Sequence, residues 1–362
     1  MRIAIIDADL IGRKRHRFPN LVCMKLAGYY KAAINSVVLK TDYEGLDEFD
    51  RVYIAKVFTD TTVPENVLRF PNVRYGGTGF FYDKAEPLPS GIEHFAPYYH
   101  LYDEWVDAQM NAGKPRRDFT YYLDHSIGFL TRGCFRGCAF CVNRNYKRAL
   151  RHSPLSEFLD PARKKICLLD DNFFGHPDWE EMLLELRATG KPFQFKQGLD
   201  ERLLTERRCE LLFTSKYDGD FIFAFDDIAD TGIVQQKIRL ARNYTRAVLK
   251  FYCFTGFDRN DRWDAAFWRQ DIFDLLRRVE ILMRHRCIPY VMRYRRYGES
   301  PYRGMYITLS RWCNQPAFFK KKSLREFAIA NGEQSAAYKY MSDFEKVFPE
   351  AAYFFDLKYE EA

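Results

Sequence analysis

Three cysteines stand close together in the segment TRGCFRGCAFCVNR, residues 131–144, which we call the cysteine loop. Cys134, Cys138 and Cys141 follow the pattern C-x3-C-x2-C. Three thiolates in one short loop repel each other and are readily oxidised, and a bound cationic centre removes both problems. These residue types at this spacing therefore predict a metal ion or an iron–sulfur cluster.

The number of cysteines bears on which of the two is bound. A structural zinc site closes with four protein ligands, usually from two spaced pairs, and the chain has no second C-x2-C pair. Zinc would need a distant His or Cys as its fourth ligand. A four-iron cluster held by three cysteines instead keeps one iron free to bind a substrate or a cofactor. The cysteines alone leave both interpretations open.

The spacing, the aromatic Phe140 just before the last cysteine, and the apolar run at 127–130 resemble the signature of the radical S-adenosylmethionine (SAM) superfamily. The resemblance implies a 4Fe-4S cluster on Cys134, Cys138 and Cys141, with SAM chelating the free iron. Electron transfer then cleaves the sulfonium, and the resulting 5′-deoxyadenosyl radical abstracts a hydrogen atom from a substrate. It implies an enzyme that needs a low-potential electron donor of the flavodoxin or ferredoxin type.

The composition indicates the class of protein to which this loop belongs. The 362 residues are 47% hydrophobic and 17% aromatic, which predicts a globular chain of about two domains and excludes a disordered one. The net charge of +7 is compatible with a phosphate-bearing partner without requiring one.

The six cysteines outside the loop show no regular framework of pairs, which predicts reduced thiols in the cytosol. Among them, Cys253 and Cys313 are candidates for hydrogen-atom donors. The apolar start of the chain is too short for a signal peptide, and no run approaches the roughly 18 apolar residues of a membrane span. We therefore expect a cytoplasmic protein with no membrane partner.

Alternating strand and helix patterns predict the elements that position the cysteine loop. The first of these form a Rossmann-like domain, residues 1–82, with strands at 2–8, 37–39 and 52–58 and a helix at 20–33 capped by Asn20. A connector rich in Pro and Tyr follows at 83–124.

The end of the first predicted strand carries Asp7, Asp9 and Gly12 in the pattern D-x-D-x-x-G. The carboxyl ends of parallel strands are where such sheets bind ligands. The pattern resembles the D-x-H-x-x-G motif of cobalamin-binding domains that precede the barrel in one radical SAM subfamily, with Asp9 where the cobalt-ligating His would be. Aspartate cannot replace that imidazole. The resemblance thus implies a degenerate cobalamin-type domain, used for cobalamin or only for packing and substrate positioning.

Residues 125–315 repeat a strand and helix pattern six times. This resembles the partial (β/α)6 barrel of the radical SAM family, in which the loops after the strands meet at one mouth. A C-terminal helical extension, 316–362, is expected to pack across the open side of the barrel. The expected class is therefore α/β: a small Rossmann-like parallel-sheet domain, a partial barrel and a helical extension. The predicted strands lie at 127–131, 166–169, 193–196, 221–225, 248–254 and 288–292, with helices at 179–189 and 202–213.

Asp170, Asp171 and Asn172 follow the second barrel strand. The resemblance places this strand end near the amino group of SAM, and the three side chains offer acceptors suited to an ammonium group and to hydroxyls. The alternative is an acidic strand-to-helix turn with Asp or Asn as a cap.

Later strand ends offer further candidates for contact with SAM. Gln197 and Asp200 follow the third strand, Asp226 the fourth and Gly256 the fifth. The resemblance puts Asp226 near the ribose hydroxyls and Gly256 near the adenine. Alternatively, Asp226 and Asp227 cap a helix, and the glycine only forms a turn.

The sixth strand runs into RYRRYGESPYR, residues 293–303, where basic and aromatic residues interleave. The pattern suits nucleic acid, through phosphate contacts and base stacking. It equally suits an anionic substrate or the SAM carboxylate, bound by Arg293, and a solvated loop is the third option.

The sequence thus predicts a radical SAM enzyme that acts on an unidentified substrate, with nucleic acid as the less favoured class. A cobalamin-dependent radical SAM methyltransferase is the first alternative. The second, from another class, is a non-catalytic zinc or iron–sulfur protein that binds nucleic acid.

Overall fold

The computed structural model describes residues 1–13 and 16–359. The chain forms two compact units, Met1–Gln194 and Phe195–Ala362. None of the described helices has the length and apolar character needed to cross a membrane.

The strands of the described residues are β1 (Arg2–Asp7), β2 (Ser36–Lys40), β3 (Arg51–Ala55), β4 (Val73–Gly76), β5 (His125–Gly128), β6 (Thr131–Arg132), β7 (Leu150–Arg151), β8 (Lys165–Leu168), β9 (Phe193–Phe195), β10 (Phe221–Ala224), β11 (Leu249–Thr255) and β12 (Ile288–Arg293).

The helices are α1 (Ala8–Gly12), α2 (Leu21–Ala32), α3 (Thr78–Phe81), α4 (Ser90–Glu93), α5 (Asp103–Asn111), α6 (Thr120–Leu123), α7 (Trp179–Ala188), α8 (Glu206–Phe213), α9 (Thr231–Arg242), α10 (Ala265–Arg284), α11 (Arg303–Cys313), α12 (Pro316–Phe319), α13 (Leu324–Ala330), α14 (Ala336–Val347) and α15 (Ala352–Asp356).

The first unit begins with a parallel sheet of order β2-β1-β3-β4. Central β1 is buried from its second residue to its last, because it is covered on both faces. Ile3 and Ile5 point into one apolar cluster, and Ala4 and Ile6 point into another on the opposite face. This alternation is the period of two of a strand, and it confirms the predicted small parallel sheet.

Helix α2 packs against this sheet and begins where the cap was predicted. The side-chain oxygen of Asn20 accepts hydrogen bonds from the N–H groups of Val22 (3.0 Å) and Cys23 (3.4 Å). A Cβ added to Gly28, in the same helix, would lie 2.3 Å from the carbonyl oxygen of Ala96. Glycine therefore lets α2 approach the connector backbone closely.

A second sheet of the first unit, of order β5-β8-β9, positions the cysteine loop. The predicted strand at 127–131 is wrong in its extent. The chain leaves the sheet after Gly128 and resumes in β6, which pairs antiparallel with β7. The cause is a carboxylate, Asp170, which accepts the N–H groups of Leu130 and Thr131 and so holds them out of the sheet.

The second unit contains a parallel sheet of order β10-β11-β12, with Phe223 opposite Phe251 and Phe251 opposite Pro289. Burial alternates along β11, as expected for a strand with one face in the core. The predicted helix at 202–213 begins later, at Glu206, because Thr205 is its cap and accepts the N–H of Arg208 at 3.3 Å.

Helices α12 to α15 form the predicted C-terminal helical extension, which was expected from residue 316, whereas α11 lies within the range predicted for the barrel. Within the second unit, α14 packs against α11, and a Cβ at Gly304 would lie 2.2 Å from the ring of Tyr340. An ion pair between Arg269 and Glu350 (2.8 Å) joins α10 to the segment before α15. That this extension closes the open side of a barrel stays a prediction.

Asp7, at the end of β1, is fully buried. Its carboxylate accepts the Tyr102 hydroxyl at 2.9 Å and the N–H groups of Asp9 (3.2 Å) and Leu10 (3.4 Å), and so caps α1. Burial raises the pKa of Asp7 to about 7, against the lowering effect of these hydrogen bonds. An unfolded chain ionises this carboxyl near its ordinary value of 3.8.

We expect Asp7→Asn to change how stability depends on pH. Because the folded-state pKa is raised, the protonated carboxyl stabilises the fold at acidic pH, and this contribution is lost as pH rises through about 7. Between pH 5 and pH 8 the wild type should lose on the order of 1–3 kcal/mol that the Asn variant keeps. Thermal unfolding at both pH values measures this. Asp47→Asn, at an exposed position, is the control; equal pH dependence in Asp7→Asn and the wild type would refute the prediction.

Candidate functional site

The cysteine loop leaves β6 and returns to β7, and the pairing of Thr131 with Arg151 closes its base. Glycine is required at two turns: Gly133 has φ 93° and Gly137 has φ 60°. At the first of these, a Cβ would also lie 2.6 Å from the carbonyl oxygen of Arg148.

The three cysteine side chains are partly exposed, and N–H groups point at two of the sulfurs. Cys134 Sγ accepts from the Arg136 N–H at 3.4 Å and from Asn172 Nδ2 at 3.3 Å. Cys141 Sγ accepts from the Asn143 N–H at 3.4 Å. Hydrogen bonds to sulfur are a general means by which proteins tune iron–sulfur centres.

The sulfurs also influence one another. Burial raises the pKa of the Cys141 thiol, and the charges of Cys138, Asp171 and Cys134 raise it further, against the lowering effect of the Asn143 N–H. A bound cation would favour the thiolate form of Cys141. In residues 1–13 and 16–359, no three His, Cys, Asp or Glu side chains are arranged to hold a single metal ion. This absence concerns single ions only, because each cysteine of a four-iron cluster binds a different iron.

Asp170 holds the start of the cysteine loop. Its carboxylate accepts the N–H of Thr131 at 2.6 Å, the hydroxyl of Thr131 at 2.7 Å and the N–H of Leu130 at 3.2 Å. Burial raises the pKa of Asp170 to about 7, although all three hydrogen bonds lower it. This side chain connects the end of β8 to the chain that enters the loop.

Asp171 bridges the two ends of the same loop. One carboxylate oxygen accepts the N–H of Gly133 at 2.7 Å, and the other accepts Asn143 Nδ2 at 2.6 Å. Burial raises the pKa of Asp171, partly offset by the Gly133 N–H and the charge of Arg132. The structure therefore brings Asp170, Asp171 and Asn172 onto the cysteine loop, as their predicted site requires. Their contact with SAM stays a prediction.

Residues just after α3 contact the other side of the cysteine loop. The Tyr82 hydroxyl donates to the carbonyl oxygen of Phe140, and Arg144 forms an ion pair with Asp83 at 2.7 Å. Asn145 Nδ2 donates to the Asp83 carbonyl at 3.3 Å. The sequence did not predict this pair of positioning residues, because they lie about sixty positions upstream and carry no motif.

A partly buried ion network supports the base of the loop, and the sequence did not predict it either. Glu93 lies 3.1 Å from His152, 3.3 Å from Lys25 and 3.7 Å from Arg132. Burial acts to raise the pKa of Glu93, but the His152 hydrogen bond and the charges of Lys25 and Arg132 outweigh it and lower the pKa to about 2. The network connects α2 and α4 to β6 and the residue after β7.

Asp9, in the position of the cobalt-ligating His, is buried within the first sheet domain. Its carboxylate accepts the N–H of Val57 at 2.7 Å and the hydroxyl of Thr61. Both oxygens thus accept hydrogen bonds within the domain, and the side chain lacks the imidazole that would ligate cobalt.

In the second unit, the candidates lie at the strand ends. Asp226 Oδ1 accepts the N–H of Phe254 at 2.8 Å, and burial raises its pKa. Asp227 caps the short helix that follows and accepts the Ala229 N–H at 3.0 Å. Asp227 is therefore the helix cap, and Asp226 connects β10 to β11.

Gly256 has φ 79°, which only glycine adopts freely. Its N–H donates to Asp271 at 2.8 Å, and the same carboxylate accepts the hydroxyls of Thr255 (2.6 Å) and Tyr306 (2.7 Å). Asp271 thus positions this strand end, and its place inside α10 gave no signal in the sequence.

The exposed Gln197 follows β9, and buried Asp200 lies three residues later. Arg202 contacts Asp200 at 2.8 Å and Asp230 at 2.9 Å. Burial, reinforced by the Asp200 charge, raises the pKa of neighbouring Glu201 to about 8. The sequence predicted a role for Asp200 at this strand end, but it did not predict the cluster of acidic residues around Arg202.

The remaining candidates of the second unit differ in exposure. Arg293 is exposed, with its guanidinium 4.3 Å from the ring centroid of Tyr297. Cys253 and Cys313 are fully buried, and burial raises the pKa of both thiols, to about 12 for Cys253. Whether either donates a hydrogen atom stays a prediction.

No model of a protein family matches the sequence. No curated protein matches it either. Two solved structures of the radical SAM methyltransferase TsrM from Kitasatospora setae share the fold. One has cobalamin and a 4Fe-4S cluster bound: 12% identity, 81% of this chain and 74% of that chain covered, TM-score 0.53. The other has tryptophan substrate and the SAM analogue aza-SAM bound: 11% identity, 80% and 72% covered, TM-score 0.52.

At this identity the likeness establishes the fold. The chain shares the fold of these two structures, and the predicted α/β class, a Rossmann-like sheet domain followed by a barrel of the radical SAM type, is confirmed.

Proposed function

We propose that this protein is a radical SAM enzyme whose 4Fe-4S cluster is bound by Cys134, Cys138 and Cys141. One observation carries the proposal: the three cysteines lie on a loop next to the first strand of the second sheet, in a chain with a radical SAM fold, and buried carboxylates hold that loop in place. Such a cluster supplies the electron that cleaves SAM into methionine and a 5′-deoxyadenosyl radical.

The protein's own groups bind and orient in this scheme. The three thiolates bind iron, and the N–H groups of Arg136 and Asn143 hydrogen-bond to two of the sulfurs. Asp170 and Asp171 act as positioning residues, because their oxygens are already used by the loop.

The SAM contacts form the finer part of the proposal. Asn172, whose Nδ2 donates to Cys134 Sγ, is proposed for contact with the amino group of SAM, and Gln197 and Asp226 are proposed for SAM or ribose contact. Gly256 is proposed for the adenine and Arg293 for the carboxylate of SAM or of the substrate. In the cell we expect a flavodoxin-type or ferredoxin-type donor and a cytoplasmic location.

The test is anaerobic reconstitution with iron and sulfide, followed by dithionite and SAM. We expect about four irons per chain, a change in the electron paramagnetic resonance spectrum on adding SAM, and 5′-deoxyadenosine among the products. Stoichiometric zinc with no 5′-deoxyadenosine would refute the proposal. It would favour instead the non-catalytic zinc or iron–sulfur protein that binds nucleic acid.

A cobalamin-dependent radical SAM methyltransferase is the second candidate, favoured by the shared fold with TsrM, whose structure contains cobalamin. Asp9 would not ligate cobalt, so this candidate requires binding without a ligand from that position. The test is expression with hydroxocobalamin, desalting and an absorption spectrum. About one retained corrinoid per chain, with methyl transfer from SAM, supports it. An active enzyme whose spectrum shows the cluster but no retained corrinoid would exclude it and leave the first proposal intact.

A further inference from the structure

Basic and aromatic side chains share one surface of the second unit, built by the loops that follow β11 and β12. The two loops adjoin, because the Tyr294 N–H donates to the Thr255 carbonyl at 2.8 Å. We call this the basic–aromatic surface. Its members are Trp263, Arg293, Tyr294, Arg295 and Tyr297, together with exposed Arg303 at the start of α11, the helix that follows the second loop.

The aromatic rings of this surface are already packed against one another. Trp263 and Tyr294 are stacked, with ring centroids 5.7 Å apart and an interplanar angle of 18°, and Phe257 meets Tyr294 edge-on at 5.0 Å. All three rings are partly exposed. Trp263 has φ 49° and nearby Asp261 has φ 54°, a conformation that is unfavourable for a bulky residue and is common at ligand sites.

The cationic part is only partly neutralised. Arg296 lies over the Trp263 ring at 4.2 Å and pairs with Glu299 (2.7 Å) and Asp261 (3.2 Å). A further acidic residue of these loops, Asp258, lies 3.6 Å from Arg262. The carboxylates of this surface therefore pair with Arg296 and Arg262.

By contrast, Arg293, Arg295 and Arg303 are exposed and have no carboxylate within ion-pair distance in the described part of the chain. Arg293 lies 4.3 Å from the Tyr297 ring centroid, and Arg295 lies 5.9 Å from that of Tyr294. Three uncompensated guanidinium groups, two of them beside rings, call for an anionic partner with flat apolar faces.

We propose that the basic–aromatic surface binds a single-stranded nucleic acid. Its phosphates meet the three arginines, and its bases stack on the exposed rings, which every base can do regardless of sequence. A duplex hides its base faces, and one small anion uses only part of a surface spread over residues 293–303. This inference goes beyond the proposed enzymatic activity and does not depend on it.

The test is fluorescence anisotropy with a labelled 20-nucleotide single strand of mixed sequence, as RNA and as DNA, without SAM. Arg293→Gln/Arg295→Gln/Arg303→Gln should weaken binding about 10-fold or more at 50 mM salt, and should reduce the slope of log affinity against log salt by about 2. The matched control, Arg239→Gln/Arg246→Gln/Arg311→Gln, removes the same charge from other exposed positions of the second unit and should weaken binding less than about 3-fold.

A second arm needs no variant. An abasic strand of equal length keeps the phosphates and loses the bases, so wild-type protein should bind it about 5-fold or more weakly, and the annealed duplex likewise. Equal weakening by the two triple variants, equal binding of the abasic strand or the duplex, or no binding at 50 mM salt would each overturn the inference. Formation of 5′-deoxyadenosine is measured separately, so failure here is distinct from failure of the proposed activity.

Discussion

Alanine at Cys134, Cys138 or Cys141, one position at a time, will strip the protein of its iron and abolish formation of 5′-deoxyadenosine. Each cysteine is expected to bind a different iron, so two remaining thiolates cannot hold the cluster. Removing a residue that hydrogen-bonds to a metal ligand typically lowers metal affinity or activity about 10- to 100-fold. Losing the ligand itself should lower them at least about 100-fold. Iron content, the visible absorption of the cluster and product formation under dithionite measure the effect.

The matched control for these variants is Cys209→Ala. Cys209 is buried in α8 of the second unit, away from the loop in sequence, and its thiol is a packing group. The control should keep both iron and turnover, apart from a modest loss of stability. A loop variant with full iron and full turnover would contradict the assignment of the cluster ligands.

Asp170→Ala is expected to have the largest effect of any single change outside the cysteines. The substitution leaves the N–H groups of Leu130 and Thr131 and the Thr131 hydroxyl without their acceptor in a buried site. Each unsatisfied group costs about 1–3 kcal/mol, and partial relaxation should leave a net loss of about 3–5 kcal/mol. The loop entrance should also loosen, so reconstituted iron should fall several-fold.

Asp170→Asn removes the charge and keeps one of the two acceptor oxygens. Burial raises the pKa of Asp170 to about 7. In the Asn variant one oxygen can still accept hydrogen bonds, but the amide NH2 replaces the other oxygen and cannot accept a backbone N–H. The stability that protonation gives the wild type is present at low pH and lost as pH rises through about 7. The stability of the Asn variant relative to the wild type should therefore be highest at alkaline pH. The Asn variant should also retain more iron than Asp170→Ala.

Urea unfolding of the metal-free protein at pH 5 and pH 8, together with iron content after reconstitution, measures both variants. Asp178→Ala, a half-exposed aspartate before α7, is the control. If Asp170→Ala were as stable as this control and took up full iron, Asp170 would not position the loop.

Short-range patterns in the sequence were sufficient for the ligand chemistry and for most elements. The cysteine spacing lies within one loop, the cap of α2 involves Asn20 and the next three residues, and the strand runs around Ile166 and Phe251 are continuous. Each of these features depends on residues close in the chain, and local sterics and hydrogen bonding decide them. For the same reason the three cysteines were found without knowledge of the fold.

Which carboxylate accepts which N–H could not be predicted. Asp170 interrupts a strand forty residues before it, Asp271 holds Gly256 from the middle of α10, and Glu93 joins Lys25 to His152 across more than a hundred residues. Such contacts exist because burial makes every polar group require a partner, and packing brings that partner from a distant part of the chain. The amino-acid sequence therefore specifies which atoms can bind iron, and the folded chain selects the buried acids that hold those atoms in place.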